Sequence, residues 1–327
     1  MHKGLTLMPV YSTSRVTAAL LLLASAVFGD DASPVRELRL EPVDESRSRI
    51  VPVKVYISGE RFPQPVVLFS HGLGGSRENN LYLGKSWAAA GYVAVFMQHP
   101  GSDEDVWKSV GIGERQAALK SAASARSSRE RFADVPFVID QLEIWNTQDG
   151  HELYGKLDLE HIGMSGHSYG AVTTLAVAGQ EYPLNRSFPD DRIAAFLAMS
   201  PQPGKGVDPQ KAFGHLTKPI LCMTGTDDAS PIDPTLEPSA RREVYAALPP
   251  GDKYQLVLKD AQHFAFGDSQ RFRTRQRNLK HHPAIQQISL NFWNAYLKDD
   301  AEAKRWLRSG QPISNTGLSD DNVWEWK

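Results

Sequence analysis

The chain has 327 residues, of which 41% are hydrophobic and 23% are charged, a composition typical of a folded protein with a sizeable core. The formal net charge is −2 and the lysines and arginines are scattered, which argues against a nucleic-acid-binding surface. The only cysteine, Cys222, lies in an apolar run and is predicted to be a buried, inert thiol. An intramolecular disulfide and a cysteine-based metal site are therefore excluded.

The N-terminus has the layout of a signal peptide. Lys3 and Arg15 precede an apolar run at residues 16–28, which is shorter than the roughly 20 residues that a membrane-spanning helix needs. We therefore predict a signal peptide over residues 1–29, cleaved after Ala26 or Gly29. The mature protein is then secreted or periplasmic and has no transmembrane span. The alternative is an uncleaved N-terminal anchor.

Short apolar runs alternate with helical segments over most of the chain. Residues 37–41 and 49–58 predict an antiparallel start to a sheet, and the later predicted strands cover residues 66–70, 92–96, 161–164, 193–199, 220–224 and 254–258. Alternation of this kind predicts an α/β protein with a mostly parallel central sheet and helices on both faces. We expect one such domain over residues 34–327.

Helices are predicted for the segments between these strands, at residues 82–90, 134–145, 171–178, 239–247 and 285–297. In the second of these, Asp134 is expected to cap the helix and Pro136 to lie in its first turn. The polar stretch at residues 101–128 is predicted to be an insertion above the carboxyl ends of the strands, where parallel sheets bind their ligands.

The strongest local motif is the pentapeptide GHSYG at residues 166–170, between a predicted strand and a predicted helix. A tight strand-to-helix turn needs small residues two before and two after its central residue, and Gly166 and Gly170 satisfy this for Ser168. Ser165 fails the same test because His167 follows it by two residues. An ordinary glycine turn is the alternative, but the strand and helix around the motif predict that Ser168 is a nucleophile.

A serine hydroxyl becomes a good nucleophile only beside a base that a third group orients. An acidic turn containing Asp227 and Asp228 follows one predicted strand, and His263 follows the next. The chain order serine, acid, histidine is that of the α/β hydrolases, so His263 is the predicted base and either aspartate is the acid. Asp260, close to His263, is interpreted as a turn residue.

The remaining histidines near these motifs are given structural or solvated roles. His71 and His167 are interpreted as neighbours of glycine turns, and His281 and His282, ahead of the last helix, as solvated.

Acyl transfer also needs hydrogen-bond donors for the oxyanion of its transition state. The turn SHGLGG at residues 70–75 follows the first predicted parallel strand and places the backbone N–H of Leu73 for this role. The N–H of Tyr169, next to the nucleophile, supplies the second donor. A simple strand-to-helix turn is the alternative for residues 70–75.

With these motifs the chain resembles the secreted platelet-activating-factor acetylhydrolases and the bacterial dienelactone-hydrolase-like, chlorophyllase and polyester-hydrolase relatives. The resemblance runs from about residue 65 to the final helix and is carried by FSHGLG at residues 69–74, GHSYG at residues 166–170 and the His263 loop. It implies an α/β-hydrolase fold and serine esterase activity through an acyl-enzyme, without a metal or other cofactor. It favours Asp228 over Asp227 as the acid.

The expected partner is a small-molecule, lipid or polymer ester, and Trp107, Phe264 and Phe266 are candidates for lining its acyl pocket. Two other functions stay open: a peptidase on the same fold, and a binding protein that keeps the fold without catalysis. The presence of all three triad residue types argues against the second.

Overall fold

A computed structural model of the chain describes five stretches, residues 1–2, 34–59, 61–204, 206–268 and 278–327. The apolar run of the predicted signal peptide, residues 16–28, and both predicted cleavage positions lie outside the described residues. The described residues from 34 to 327 form one compact unit. Of the helices that the structure describes, none has both the length and the apolar character needed to cross a bilayer.

Nine of the described strands form one sheet. The strands are β1 (Arg36–Leu40), β2 (Val43–Asp44), β3 (Arg49–Ile50), β4 (Val53–Ile57), β5 (Gln64–Ser70), β6 (Val93–Met97), β7 (Leu157–His167), β8 (Ile193–Met199), β9 (Ile220–Asp227), β10 (Lys253–Gln262) and β11 (Val323–Trp326). The order in the sheet is β1-β4-β6-β5-β7-β8-β9-β10-β11, and β2 pairs only with β3. Strands β5 to β10 run parallel to one another, while β1, β4 and β11 pair antiparallel at the two edges.

The described helices lie between the strands. They are α1 (Leu81–Ala89), α2 (Asp105–Lys108), α3 (Arg115–Ala122), α4 (Ala125–Thr147), α5 (Tyr169–Val177), α6 (Pro209–Phe213), α7 (Arg242–Ala247), α8 (His281–Leu297), α9 (Ala301–Leu307) and α10 (Gln311–Ser314). Short 3₁₀ turns cover Ile112–Glu114, Pro238–Arg241 and His263–Phe266.

The sheet is buried on both faces because the side chains of each strand alternate in direction. In β5, Val66 and Leu68 pack into one core with α4 and α5. Val67 and Phe69 face the opposite core, which α1 and α8 cover. The structure therefore confirms the predicted α/β class and the mostly parallel central sheet.

The expected cap at Asp134 is wrong. Helix α4 begins at Ala125, where the Ser124 hydroxyl accepts a hydrogen bond from the Ser127 N–H (3.1 Å). Asp134 lies in the middle of the helix, fully buried, and its carboxylate accepts two bonds of 2.8 Å from Arg49. Pro136 is likewise inside the helix. A local sequence pattern could not reveal the buried position of Asp134 within the helix, because its partner Arg49 is distant in the chain.

His281 and His282 are not solvated, contrary to expectation. His281 is 3% exposed. The His282 ring stacks on Tyr82 at 3.9 Å, and its Nε2–H donates to the Ala265 carbonyl (3.0 Å). Both residues open α8, which packs against the turn that holds His263, so His281 is buried and His282 is half-buried.

Cys222 lies in β9 and is buried, as the sequence predicts. Burial raises the pKa of its thiol to about 12. The thiol is therefore protonated at neutral pH and is a poor nucleophile.

Candidate active site

Ser168 occupies the sharp turn between β7, which ends at His167, and α5, which begins at Tyr169. Its backbone has φ 58° and ψ −113°, a region that residues other than glycine rarely adopt. The Ser168 N–H donates to the Met199 carbonyl on the neighbouring strand (2.9 Å), and this bond holds the turn at the carboxyl edge of the sheet. Backbone strain of this kind is commonly found at functional sites.

The glycines on either side of Ser168 are required by space. A Cβ on Gly166 would lie 2.3 Å from the Gly170 carbonyl oxygen, and a Cβ on Gly170 would lie 1.9 Å from the Ser70 carbonyl oxygen. Both distances are far below van der Waals contact, so the turn closes only with glycine at these two positions.

Replacing Gly170 with alanine is expected to lower the free energy of unfolding by at least about 3 kcal/mol, because the new methyl group must displace backbone rather than a flexible side chain. Urea denaturation would measure the change. Gly113→Ala is the matched control, since no atom lies within 4 Å of the position that its methyl group would take, and it should change stability by less than about 0.5 kcal/mol. Equal stability of the two variants would contradict the packing of the turn.

The structure brings Ser168, Asp228 and His263 into one hydrogen-bonded chain. His263 Nε2 lies 2.8 Å from Ser168 Oγ, and His263 Nδ1 lies 2.7 Å from Asp228 Oδ1. The Thr224 hydroxyl donates to the second carboxylate oxygen of Asp228 (2.9 Å). An imidazole bonded in this way to a carboxylate and a hydroxyl is suited to accept the hydroxyl proton.

Asp228 is anionic although it is fully buried. Burial raises the pKa of its carboxyl group, but the hydrogen bond from His263 and the charge of Arg241 outweigh burial, so the pKa lies below its usual value. The alternatives Asp227 and Asp260 are both exposed, and their neighbours are Thr226 and Lys259.

Arg241 is a site residue that the sequence reasoning missed. Its side chain is 1% exposed, and Nε lies 2.9 Å from Asp228 Oδ1. The guanidinium also donates to the Ser200 carbonyl (2.9 Å), and Nη2 lies 3.2 Å from His263 Nδ1. Arg241 thereby compensates the buried charge of Asp228. Only the fold brings the two residues together, so no local motif marks this arginine.

The two predicted oxyanion donors lie on turns that pack against each other. The position of a Cβ on Gly72 is 3.5 Å from the Ser168 Cβ, so the turn after β5 lies directly beside the nucleophile. Among the described residues, neither the Leu73 N–H nor the Tyr169 N–H has a hydrogen-bond acceptor, whereas the N–H groups of Gly74 and Gly75 are bonded to Ser102 and Gly72 carbonyls. Two backbone donors are therefore free to bind a ligand.

A cavity of about 1000 Å³ opens over Ser168 and His263. The turn after β5 and segment 104–119, within the predicted insertion, form much of its wall. Its larger apolar residues are Leu73, Trp107, Ile112, Leu119, Ile232 and Phe264. Trp107 also donates its indole N–H to the Gly74 carbonyl (2.7 Å), which ties α2 to the turn.

Phe266 does not line this cavity, contrary to expectation. It is fully buried in the core under α8. The 3₁₀ turn at His263–Phe266 points Phe264 and Phe266 in different directions, and only Phe264 reaches the cavity. A smaller cavity of about 640 Å³ lies beside α4 and includes none of the predicted site residues.

His71, His99 and His167 are buried around the site and are uncharged at neutral pH. Burial lowers the pKa of His99 to about 4 and that of His167 to about 3, and it lowers the pKa of His71 well below its usual value. His167 donates to the His263 carbonyl (3.0 Å), and His71 donates to the Gly72 carbonyl (2.6 Å). His71 and His167 therefore stabilise the turns at Gly72 and His263 as neutral hydrogen-bond donors.

These three histidines predict a loss of stability in mild acid. Below pH about 6.5 an unfolded histidine binds a proton, whereas the folded pKa values are lower, so the unfolded chain takes up more protons as pH falls towards 4. Each histidine then contributes about 1.4 kcal/mol of destabilisation per pH unit in that window. Urea denaturation at roughly pH 7.5 and 5.5 should differ by about 4 kcal/mol.

The variant His167→Gln is the control for this dependence, because glutamine keeps a donor for the His263 carbonyl and does not titrate. It should remove about a third of the difference between the two pH values. A wild-type stability that is flat over this range would contradict the neutral, buried state of the histidines.

The chain matches no protein-family model and no curated protein. Among the described residues, no group of three or more His, Cys, Asp or Glu side chains is placed to hold a metal ion.

Proposed function

We propose that this protein is a serine hydrolase of the α/β-hydrolase fold that cleaves carboxylic esters through an acyl-enzyme. The observation that carries the proposal is the hydrogen-bonded chain from Asp228 through His263 to Ser168, at the base of a cavity. Two free backbone N–H groups beside Ser168 add the donors that acyl transfer requires. The resemblance of the sequence motifs to esterases of this fold agrees with the geometry.

In the proposed first half-reaction, Ser168 Oγ attacks the ester carbonyl carbon while its proton passes to His263 Nε2. Asp228 stabilises the imidazolium that forms, and the N–H groups of Leu73 and Tyr169 bind the oxyanion. The tetrahedral intermediate then loses the alcohol, which takes the proton from His263. The acyl group stays on Ser168.

Water completes the cycle on the acyl-enzyme. His263 Nε2 accepts a proton from the water as its oxygen attacks the acyl carbon, and the second tetrahedral intermediate uses the same two N–H donors. Collapse releases the carboxylic acid and returns the proton from His263 to Ser168. No metal or organic cofactor takes part in this scheme.

The size and lining of the cavity favour an ester with an extended apolar part. About 1000 Å³ is at the upper end of the range for small-molecule sites, and the apolar side chains of Trp107 and Phe264 line the same cavity as Ser168. Short-acyl, lipid-like and polyester substrates all contain the carboxylic ester bond that the proposed reaction cleaves. We further propose that the mature protein is secreted or periplasmic, as the N-terminal sequence indicates.

The test is hydrolysis of p-nitrophenyl esters of increasing acyl length, from acetate to laurate, together with labelling by a fluorophosphonate. We expect turnover with a burst of nitrophenol equal to the enzyme concentration, and a phosphonate adduct that peptide mapping locates on Ser168. A folded protein that neither hydrolyses the esters nor takes the label would overturn the proposal and favour a binding role. Cleavage of peptide amides with a kcat/KM close to that for matched esters would favour a peptidase, because an esterase leaves amides almost untouched.

A further inference from the structure

Arg131 is a fully buried arginine beneath the proposed oxyanion hole. It lies in α4, outside the triad, and makes no contact with Ser168, Asp228 or His263 among the described interactions. Burying a guanidinium is costly, so its hydrogen-bond partners indicate what it holds in place.

One side of the guanidinium holds the turn that carries Leu73. Nη2 donates to Ser70 Oγ (2.9 Å) and to the His71 carbonyl, two residues before Leu73. Nη1 donates to Ser102 Oγ (2.9 Å), and the carbonyl of Ser102 accepts the N–H of Gly74 (2.9 Å). Arg131 therefore binds this turn on both sides of the Leu73 amide.

The other side holds the start of α5, which carries Tyr169. Nε donates to Thr173 Oγ1 (3.1 Å), and the Thr173 hydroxyl in turn donates to the Tyr169 carbonyl (3.2 Å). The guanidinium carbon also lies 4.6 Å from the centre of the Tyr169 ring, within the range of a cation–π contact. A single side chain thus connects the two segments that supply the oxyanion donors.

The charge of Arg131 is balanced by Asp134, to which Arg131 is connected through Ser70 and His99. Ser70 Oγ lies 2.9 Å from His99 Nε2, and His99 Nδ1 donates to Asp134 (2.8 Å). Asp134 is anionic because its bonds to His99 and Arg49 outweigh the effect of burial and hold its pKa far below the usual value. Burial lowers the pKa of Arg131 only to about 10, so the guanidinium keeps its proton at neutral pH.

We propose that Arg131 is a positioning residue that fixes the distance between the Leu73 and Tyr169 N–H groups so that both reach the same oxyanion. The inference rests on the proposed hydrolase function. Removal of Arg131 would leave the nucleophile and base in place but would let the two donors separate. Transition-state binding is then lost while ground-state binding of the ester is kept.

The test is Arg131→Lys, because one ammonium group keeps the charge but cannot bond to all the partners of a guanidinium. We expect kcat for p-nitrophenyl esters to fall by about 10- to 100-fold with KM unchanged. Affinity for an alkylboronic acid, which forms a tetrahedral adduct on Ser168, should fall by a similar factor. The pH profile of kcat should be unchanged, because Arg131 does not contact the triad.

The matched control is Arg192→Lys. Arg192 also joins a loop to α4, with bonds to the Asp140 and Glu143 carboxylates, and touches none of the proposed catalytic groups. It should lower the melting temperature and leave kcat and boronate affinity at wild-type values. If Arg131→Lys behaves in the same way, its role is structural and the proposal is wrong.

If Arg131→Lys does not fold, Thr173→Val tests the same connection by removing the hydroxyl that accepts from Nε and donates to the Tyr169 carbonyl. Its kcat should fall by about 3- to 10-fold at constant KM, and Thr173→Ser, which keeps the hydroxyl, should restore it. Unchanged kcat in Thr173→Val overturns the proposal. A folded wild type without turnover or label counts against the hydrolase function itself, so the two failures are distinguishable.

Discussion

Replacing Ser168 with alanine is expected to lower kcat for ester hydrolysis by about a millionfold, because no other described hydroxyl is hydrogen-bonded to His263 Nε2. The variant should fold normally, since alanine tolerates the backbone of the turn as well as serine does. Steady-state rates with p-nitrophenyl acetate measure the loss, and circular dichroism checks the fold. The fluorophosphonate adduct should disappear at the same time.

The matched control is Ser165→Ala, three residues earlier, in β7. Ser165 is fully buried, and within the described part of the chain its hydroxyl has no hydrogen-bond partner. Removing a buried hydroxyl without partners is close to neutral for stability and should leave kcat unchanged. Loss of activity in this variant with retention in Ser168→Ala would reverse the assignment of the nucleophile.

Replacing Asp228 with asparagine is expected to lower kcat by about 10,000-fold. The amide no longer stabilises the imidazolium, and its NH₂ group can leave His263 in the tautomer that cannot accept the Ser168 proton. The buried guanidinium of Arg241 also loses its charged partner, so stability should fall. Rates measured well below the unfolding midpoint separate the two effects.

Asp227→Asn removes the same charge from the adjacent residue and is the control for this change. Because Asp227 is exposed and its carboxylate bonds only to Thr226 among the described residues, kcat should stay within about twofold of wild type. A larger loss in Asp227→Asn than in Asp228→Asn would show that the acid had been assigned to the wrong aspartate.

The sheet could be predicted from the sequence because its central strands are continuous apolar runs. Strand β8 has the predicted bounds, residues 193–199, since both of its faces are buried. Strand β11 is not predicted, because a short edge strand at the C-terminus has a weak pattern and depends on its pairing with β10. The strand predicted at residues 161–164 is longer in the structure, because pairing with β5 extends β7 back to Leu157. Such pairing is not visible in a local sequence pattern.

The candidate site could be predicted only where its residues belong to local motifs. Ser168 is marked by its two glycines, and the acid and the histidine are marked by the turns that follow strands. Arg131 and Arg241 lie in helical segments without a motif, and only the fold brings them against their partners, which are 61 residues away for Arg131 and 13 for Arg241. A sequence pattern reports periodicity and turns, whereas a buried charge pair is a product of the tertiary fold.

The bond between the Trp107 indole and the Gly74 carbonyl has a thermodynamic consequence for access to the site. Helix α2 forms part of the cavity wall, and Gly74 adjoins the Leu73 donor, so a movement of α2 that widens the cavity breaks a bond of the turn. The movement of α2 and the binding of a ligand by the Leu73 N–H are then linked equilibria, and the linkage is reciprocal. A ligand bound by the Leu73 N–H must stabilise the position of α2 in which Trp107 bonds to Gly74 by the same free energy with which that position stabilises the bound ligand.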